Sequence, residues 1–427
     1  MYSLAFSNLF IGFLILTLAV RFWLGSRHIR HILAHRAIVP PEFASKIPLA
    51  AHQKAADYTI AKTKFSLFML LVSSAVLIGF TLMGGLQALA VAVFARTGPG
   101  MAYQISLLVA FTLISGAIDL PFDYYRQFVL EARFGFNKMS MKLFATDMLK
   151  NALIGAVIGL PLIWVVLTLM EKSGDLWWLY AWIVFSAFQL AMLVLYPTVI
   201  APLFNKFTPL ADASLQSRIE NLMRRVGFAS QGLFVMDGSK RSAHGNAYFS
   251  GFGAAKRIVF FDTLLARLAP EEIEAVLAHE LGHFKLKHIV KRILMMFGIS
   301  LGFLALLGFL KTQTWFYTGL GVDPMVVASN DAMALILFML VLPVFTFLLS
   351  PLTSIGSRKH EFEADAFAAL HTRADDLVSA LVKLYEDNAS TLTPDPLHSA
   401  FYDSHPPASV RIRKLTSHAP GALRPAH

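Results

Sequence analysis

Long apolar runs alternate with shorter polar connections along most of this chain. A helix needs about 20 apolar residues to cross a hydrocarbon core of about 30 Å, and most of the runs reach that length. The pattern predicts seven transmembrane helices, and the second and fifth runs are long enough to extend beyond the bilayer. The first run lacks the basic start and the cleavage site of a signal peptide, which favours an uncleaved span. The runs cover about residues 4–24, 65–95, 101–118, 151–170, 176–204, 293–310 and 332–357.

One sizeable polar segment, residues 205–292, interrupts this apolar pattern. Residues 212–226 are typical of an amphipathic helix, and residues 232–238 of a short strand. Residues 247–253 and 257–262 predict two strands joined by a glycine-containing turn. An exposed sheet edge there can hold an extended peptide by main-chain hydrogen bonds. Periodicity alone is equally compatible with a small structural hairpin.

A strong helix start follows these strands, with Pro270, two acidic residues and an apolar stripe. This helix carries the motif His279-Glu-Leu-Gly-His283. Histidines four residues apart share one helix face, where both imidazoles can reach one zinc ion at about 2.0–2.1 Å. Glu280 can act on a water without ligating the metal. The motif supplies two ligands and a general base, and the strong helix start counts against the alternative of two surface histidines.

Composition separates this chain from soluble globular proteins. Hydrophobic residues make up 56% of it and charged residues 15%, whereas soluble proteins carry about 25% charged residues. There is no cysteine, so histidine and carboxylate side chains are the available metal ligands. The net charge of +10 does not indicate nucleic acid, because no nucleic-acid motif is present and basic residues commonly flank membrane spans.

The distribution of lysine and arginine predicts the orientation in the membrane. Three connections are rich in these residues, with seven at 25–64, five at 119–150 and thirteen at 205–292. The remaining connections carry one each, at 96–100, 171–175 and 311–331. Because basic connections favour the cytoplasmic side, we expect the N-terminus outside and both the 205–292 segment and the C-terminus in the cytoplasm.

A dense polar cluster begins a predicted helix after the seventh run, and it offers candidates for a third metal ligand. These are His360, Glu361, Glu363 and Asp365. Glu361 and Asp365 are four residues apart and share a helix face, while Glu363 points elsewhere. One of that pair could ligate the metal and the other could hold a ligating imidazole by its free N–H, but spacing does not decide which. An ordinary charged helix beside the membrane is the alternative.

The last polar cluster reads Asp403-Ser-His-Pro-Pro-Ala-Ser-Val-Arg-Ile-Arg. A histidine followed by two prolines has a restricted, extended backbone. His405 or Arg411 could donate a hydrogen bond to a developing oxyanion. Considered alone, this cluster is better interpreted as a loop followed by a basic helix.

Together these residues resemble the type I CAAX prenyl endopeptidases, which are integral-membrane zinc metalloproteases. The likeness covers most of residues 20–415. The segment Leu120–Asn137 resembles the loop after that family's third span, and Lys240–Phe249 resembles its strand beside the active site. H-E-L-G-H, H-E-F-E-A-D and S-H-P-P follow in the family's order. One departure is Glu363, which stands where relatives often have an uncharged glutamine.

The resemblance implies a role for each site residue. One Zn²⁺ per chain would be held by His279, His283 and Glu361. Glu280 would be the catalytic glutamate. Asp365 would contact a metal-ligating side chain rather than the metal itself.

The resemblance to this family also implies which residues face the substrate. His405 and Arg411 would lie near the reacting carbonyl. Asn246, with the following Ala247 and Tyr248, would form the strand edge that binds a peptide.

The implied fold is an all-α polytopic membrane protein. Seven helices would form an α-barrel around a water-filled chamber, with a small α+β metalloprotease domain of the zincin type. We expect five units along the chain: five membrane spans at 1–204, the cytoplasmic zinc-protease segment at 205–292, the sixth and seventh spans at 293–357, helices completing the zinc site at 358–415, and a disordered tail at 416–427.

The sequence therefore predicts peptide-bond hydrolysis by a membrane-embedded zinc metalloendopeptidase. Its partners would be the lipid bilayer and a peptide or protein substrate, prenylated or not, and the family reaction is removal of a C-terminal tripeptide from prenylated substrates. Because no endoplasmic-reticulum retention signal is present, a bacterial homologue in an inner membrane is predicted, where prenylated substrates would be absent.

Two alternatives remain at this point. A quality-control metalloprotease of the HtpX kind would share the zinc chemistry, but such chains are shorter, have fewer spans and lack the match at 120–137. A transporter or channel with a structural zinc site would need four protein ligands and would give Glu280 no role.

Overall fold

A computed structural model describes residues 1–228, 232–250, 257–325 and 330–417. Its helices are α1 (Tyr2–His35), α2 (Leu49–Phe80), α3 (Gly85–Thr97), α4 (Met101–Tyr124), α5 (Met141–Lys172), α6 (Trp177–Leu195), α7 (Ala201–Phe204), α8 (Ala213–Arg225), α9 (Asp262–Leu265), α10 (Pro270–Lys285), α11 (His288–Leu310), α12 (Thr314–Thr318), α13 (Asp331–Thr346), α14 (Ser350–His371), α15 (Ala374–Asp387), α16 (Pro396–Tyr402) and α17 (Ala408–Ser417). Its strands are β1 (Phe207–Pro209), β2 (Leu233–Met236), β3 (Ala247–Ser250) and β4 (Arg257–Phe261).

Seven helical segments of the described chain are long and apolar enough to cross a membrane. Large apolar side chains such as Leu113, Val157 and Ile183 remain exposed on them, which suits helices surrounded by lipid. The prediction of seven spans in an all-α membrane protein is thus confirmed. The segments are Tyr2–His35, Leu49–Phe80, Met101–Glu131, Met141–Lys172, Gly174–Phe204, His288–Leu310 and Asp331–His371.

The second apolar run is not one helix. It divides into the end of α2 and the short helix α3, which has 13 residues. Gly84 adopts a left-handed conformation with φ of 75° between them, which glycine accepts without steric cost. A Cβ on Gly85 would lie 2.5 Å from the carbonyl oxygen of Gly79. The run therefore contains one span and a separate short helix, and its extension beyond the bilayer stays a prediction.

The seventh span continues directly towards the polar part of the molecule. A 3₁₀ turn at Phe347–Leu349 joins α13 to α14. The predicted domain boundaries at 292/293 and 357/358 fall inside α11 and α14. The division into five units stays a prediction, and residues 418–427 of the predicted tail lie outside the described residues.

The strands form a small mixed sheet in the order β1-β2-β4-β3. β2 and β4 are parallel, whereas β1–β2 and β3–β4 are antiparallel. The antiparallel pairing of β3 with β4 confirms the predicted hairpin strands, although residues 251–256 of the turn lie outside the described residues. β1 was not predicted, because three residues carry no periodic signal. β1 and β3 are the two edge strands in this order, and a further strand could be added at such an edge.

The sheet packs with α8, α10, α15 and α17 around one apolar core, and we call this unit the polar domain. The predicted amphipathic helix is α8, which begins where the side chain of Asp212 accepts a hydrogen bond from the backbone N–H of Leu215 at 3.0 Å. Ile219 and Leu222 of α8 and Phe260 of β4 are fully buried in this core.

Candidate metal centre

The start of α10 is fixed by its capping contacts. The Glu272 carboxylate accepts a hydrogen bond from the backbone N–H of Ala269 at 2.7 Å, which satisfies a donor that the helix leaves free. Lys383 and Ser379 of α15 also donate to this carboxylate, at 2.7 and 2.6 Å. These contacts attach the beginning of α10 to the polar domain, and the helix then carries the H-E-L-G-H motif at its far end.

Gly282 lets α14 approach α10 almost at backbone contact. A Cβ on Gly282 would lie 3.1 Å from the Cα of Ala364 and 3.1 Å from the Cβ of Phe367. This close packing brings Glu361, one turn before Ala364, beside the two histidines. Sequence reasoning gave Gly282 no role, although a small residue on each of two packed helices is the signal that marks such a contact.

The structure brings together the three residues expected to ligate a metal. The Nε2 atoms of His279 and His283 are 3.3 Å apart. Carboxylate oxygens of Glu361 lie 3.5 Å from Nε2 of His279 and 3.2 Å from Nε2 of His283. A tetrahedral ion with bonds of about 2.1 Å places its ligand atoms about 3.4 Å apart. The spacing of the three donor groups therefore fits one zinc ion.

The chemistry of the donors also fits a metal. Two imidazoles and one carboxylate form a common set of protein ligands for catalytic zinc. The Oε2 atom of Glu361 is buried and has no hydrogen-bond partner among the described residues. The guanidinium of Arg411 lies 3.6 Å from this atom, beyond hydrogen-bond distance. A buried carboxylate oxygen without a hydrogen bond is costly, and a bound cation would satisfy it.

Asp365 and Arg411 lie on the Nδ1 side of His279, away from the expected metal position. Nδ1 of His279 lies 2.9 Å from the Asp365 carboxylate, which leaves Nε2 on the side of Glu361. Nε and Nη2 of Arg411, on α17, donate to the same carboxylate at 2.8 and 2.5 Å. Both Asp365 and Arg411 are buried. A ligating histidine usually gives its other N–H to a carboxylate, so this arrangement is typical of a metal centre.

The carboxylates also set the charge of His279 when no metal is present. Burial disfavours the protonated ring, but the neighbouring carboxylates of Asp365 and Glu361 outweigh burial and raise the pKa of His279 to about 9. A metal that binds Nε2 therefore has to displace a proton at neutral pH.

A cavity of about 740 Å³ opens beside these ligands, between the polar domain and the membrane helices α1 and α2. Glu280 lines the cavity and is partly buried. His405 lines it as well, with Nε2 3.3 Å from Oε1 of Glu361 and an exposed ring. Both residues therefore border the space that a bound molecule would occupy.

The three predicted residues of the strand edge do not share one environment. Asn246 and Ala247 line the cavity, but Tyr248 does not. The Tyr248 ring packs edge-on against Phe261, with its hydroxyl 4.0 Å from the sulfur of Met236. Within β3, which begins at Ala247, neighbouring side chains turn to opposite faces, so Ala247 and Tyr248 do not both face the cavity. Asn246 precedes the strand and is not bound by this alternation.

Two candidate ligands from the sequence lie elsewhere. His360 and Glu363 are grouped with His288 rather than with His279. The ring of His288 stacks on that of His360 at 4.0 Å between centroids, and its Nδ1 faces Nδ1 of His283 at 3.1 Å. Sequence reasoning did not single out His288, although it lies only five residues after His283.

Comparison with known protein families agrees with this geometry. Residues 209–419 match the family described as Peptidase family M48. Residues 28–206 match a family described as CAAX prenyl protease N-terminal, five membrane helices. The chain belongs to peptidase family M48, and it is a membrane-embedded metallopeptidase and a hydrolase. The interpretation as a transporter or channel with a structural zinc site is therefore not supported.

Among known proteins, the chain is similar over nearly its full length to CAAX prenyl proteases. It is 34% identical to CAAX prenyl protease 1 homolog of Arabidopsis thaliana, over 97% of this chain and 98% of that protein. It is 36% identical to CAAX prenyl protease 1 of Saccharomyces cerevisiae, over 88% of both chains. The crystal structure of S. mikatae Ste24p matches with a TM-score of 0.86 and 34% identity, covering 96% of this chain and 98% of that one.

These relatives bear on two predictions. The resemblance to CAAX prenyl endopeptidases is confirmed, and full-length similarity favours it over the shorter HtpX type. The relatives named here come from eukaryotes, so they give no support to the predicted bacterial origin.

Proposed function

We propose that this protein is a CAAX prenyl protease-like zinc endopeptidase that cleaves peptides close to their C-terminus, including prenylated ones. The observation that carries this proposal is the set of donor atoms of His279, His283 and Glu361, spaced 3.2–3.5 Å apart at the wall of a cavity. The names of the relatives supply the substrate class.

One zinc ion per chain would be held by these three residues. When bound there, zinc polarises a carbonyl group and lowers the pKa of water. Glu280 accepts the proton of the attacking water and delivers it to the leaving amine, because its carboxylate lines the cavity next to the ligands.

His405 and Arg411 take different roles in this proposal. His405 is exposed to the cavity and donates a hydrogen bond to the oxyanion that develops on the substrate. Arg411 is committed to Asp365 by two hydrogen bonds. We therefore assign Arg411 to positioning Asp365 and, through it, His279.

The substrate peptide would lie along the edge strand β3. Asn246 and Ala247 are the part of this edge that lines the cavity, and an extended peptide can pair with an open strand edge. A cavity of about 740 Å³ has the size of a site for a small ligand or a few peptide residues. A short C-terminal segment fits such a space better than the middle of a folded chain.

We place the metal centre on the cytoplasmic side of the membrane. The support for this orientation is the concentration of lysine and arginine in 25–64, 119–150 and 205–292. The polar domain contains most of the third of these segments.

The test is cleavage of farnesylated and non-farnesylated CAAX peptides by the purified full-length protein. We expect release of the C-terminal tripeptide from the farnesylated peptide. Glu280→Ala should keep its zinc and lose roughly 10²–10⁴-fold in kcat, as expected for a missing general base. Undiminished cleavage by Glu280→Ala would overturn the mechanism. Failure to release the tripeptide from the farnesylated peptide would overturn the proposed substrate class.

A further inference from the structure

A second group of polar side chains lies directly behind His283. Nδ1 of His283 is 3.1 Å from Nδ1 of His288, and Nε2 of His288 is 2.8 Å from the Glu363 carboxylate. His288 is buried, whereas the Glu363 side chain is 36% exposed. None of these contacts has a part in the proposed reaction, yet they touch one of the expected zinc ligands.

The two ligating histidines differ in what they meet at Nδ1. For His279 it is the carboxylate of Asp365, which only accepts hydrogen bonds. For His283 it is another imidazole nitrogen. Two imidazole nitrogens form a hydrogen bond only when one carries a proton and the other does not, so the tautomer of His288 decides the tautomer of His283.

Glu363 decides the tautomer of His288. Its carboxylate accepts a hydrogen bond at 2.8 Å, so Nε2 of His288 carries the proton. Nδ1 of neutral His288 is then an acceptor, and Nδ1–H of His283 donates to it. The lone pair of His283 Nε2 consequently faces Glu361 and His279, where a metal ligand must point.

A second metal ion is the competing explanation, because His288, His360 and Glu363 place their donor atoms within 4.8 Å of one another. The rings of His288 and His360 are stacked with only 12° between their planes. Lone pairs of imidazole nitrogens lie in the ring plane, so those of two parallel rings do not converge on one ion. Lys359 also lies 3.9 Å from the Glu363 carboxylate, which disfavours a cation.

We propose that His288 and Glu363 are positioning residues that hold His283 in the tautomer required for metal binding. This inference rests on the proposed zinc site. Asp365 contacts His279 directly and holds its tautomer in the same way. For His283, the effect passes through two hydrogen bonds, from Glu363 to His288 and from His288 to His283. Mutation of such supporting residues typically costs about 10–100-fold in metal affinity or activity.

The test measures zinc affinity, zinc stoichiometry and the absorption spectrum of the Co²⁺-substituted full-length protein. His288→Phe keeps a ring that stacks on His360 but removes the acceptor, and Glu363→Leu removes the carboxylate. Both should weaken zinc binding about 10–100-fold and change the Co²⁺ spectrum. Glu363→Gln keeps an oxygen that accepts from His288, so it should rescue affinity to within about threefold of the wild type.

A matched control is His360→Phe. It preserves the ring stacking on His288 and leaves the hydrogen bonds that link Glu363, His288 and His283 unchanged. Its zinc affinity should equal that of the wild type, with one zinc ion bound. Wild-type affinity and an unchanged Co²⁺ spectrum in both His288→Phe and Glu363→Leu would overturn the inference. Two zinc ions in the wild type and one in His360→Phe would establish the second metal site instead.

The same measurements separate this inference from the proposed function. If the wild type binds no zinc, the proposed function fails whatever His288 does. If the wild type binds zinc and cleaves peptide while the His288 and Glu363 variants are indistinguishable from it, only the positioning role fails. Because Glu363 is partly exposed, the comparison of Glu363→Leu with Glu363→Gln remains decisive even where His288→Phe does not fold.

Discussion

The two parts of the metal centre are held in the molecule in different ways. His279 and His283 lie on α10, whose apolar residues Ile273 and Leu277 are buried in the core of the polar domain. Glu361 lies on α14, which continues from the membrane helix α13 through one 3₁₀ turn. Helix geometry alone therefore fixes the spacing of the histidines. Their distance to Glu361 depends on how an extension of a membrane span packs against the polar domain.

Because of this difference, the geometry of the metal centre is most easily disturbed at the contact between α10 and α14. At Gly282, α10 lies close against Ala364 and Phe367 of α14. Asp365 and Arg411 add a second link, because Arg411 comes from α17 of the polar domain and Asp365 from α14. A change in either link should alter the metal centre without altering the ligands themselves.

Removing one ligand from each part is expected to have the largest effect. His283→Ala and Glu361→Ala each leave two protein ligands, so zinc in the purified protein should fall well below one ion per chain and peptide cleavage should be lost. Elemental analysis of metal content checks this, with Glu280→Ala as the variant that keeps its metal. A full complement of zinc in Glu361→Ala would mean that the third ligand is another residue.

The next largest effect should come from Gly282→Ala. The added Cβ would meet backbone and Cβ atoms of α14 at 3.1 Å, and these cannot move aside as the end of a flexible side chain can. The helices should separate by some tenths of an ångström. Because a misplacement of about 1 Å can cost about 10²-fold in rate, we expect kcat/KM to fall roughly 10–100-fold.

Gly356→Ala is the matched control for this prediction. Gly356 lies on the same helix as Glu361, and a Cβ there meets nothing within 4 Å. Alanine also favours helix over glycine, so this variant should be as active as the wild type and at least as stable. Equal activity of Gly282→Ala and Gly356→Ala would show that the approach of α14 does not control the centre.

The same contrast explains which site residues sequence reasoning could identify. The pair His279 and His283, with Glu280, follows from the 3.6-residue period of one helix. The choice between Glu361 and Asp365 does not, since both lie on one face of α14 and only the packing against Gly282 decides which reaches the metal side. Resemblance to a family supplied that choice, and the geometry agrees with it.

Some features of the fold were likewise predictable from the sequence, and others were not. Length and hydropathy were sufficient for seven spans, because crossing a bilayer imposes a minimum length on each apolar helix. They missed the break before α3, since the turn at residues 81–84 lies inside an uninterrupted apolar run. They also did not show that the seventh span continues into the helix that carries Glu361, because polarity changes near residue 357, inside α14, while the helical path does not.

The smallest of these effects should follow from Arg411→Lys, which weakens the second link between the two parts. Lysine keeps the positive charge but cannot make the two hydrogen bonds that the guanidinium makes to Asp365. Asp365 would then hold His279 less firmly, and zinc affinity should fall about tenfold while all three ligands remain. Zinc affinity measured by competition with a chelator checks this.

Arg413→Lys separates this effect from a general loss of arginine on α17. Arg413 is 66% exposed and pairs with Glu42 at the surface, at 3.4 Å, so its replacement should leave zinc affinity unchanged. If Arg411→Lys and Arg413→Lys bind zinc equally well, the link through Asp365 adds nothing to the centre, and the contact at Gly282 alone carries the alignment of α14 with α10. If only Arg411→Lys is weakened, the polar domain holds the membrane helix in place at two points, and His279 is aligned through the second of them.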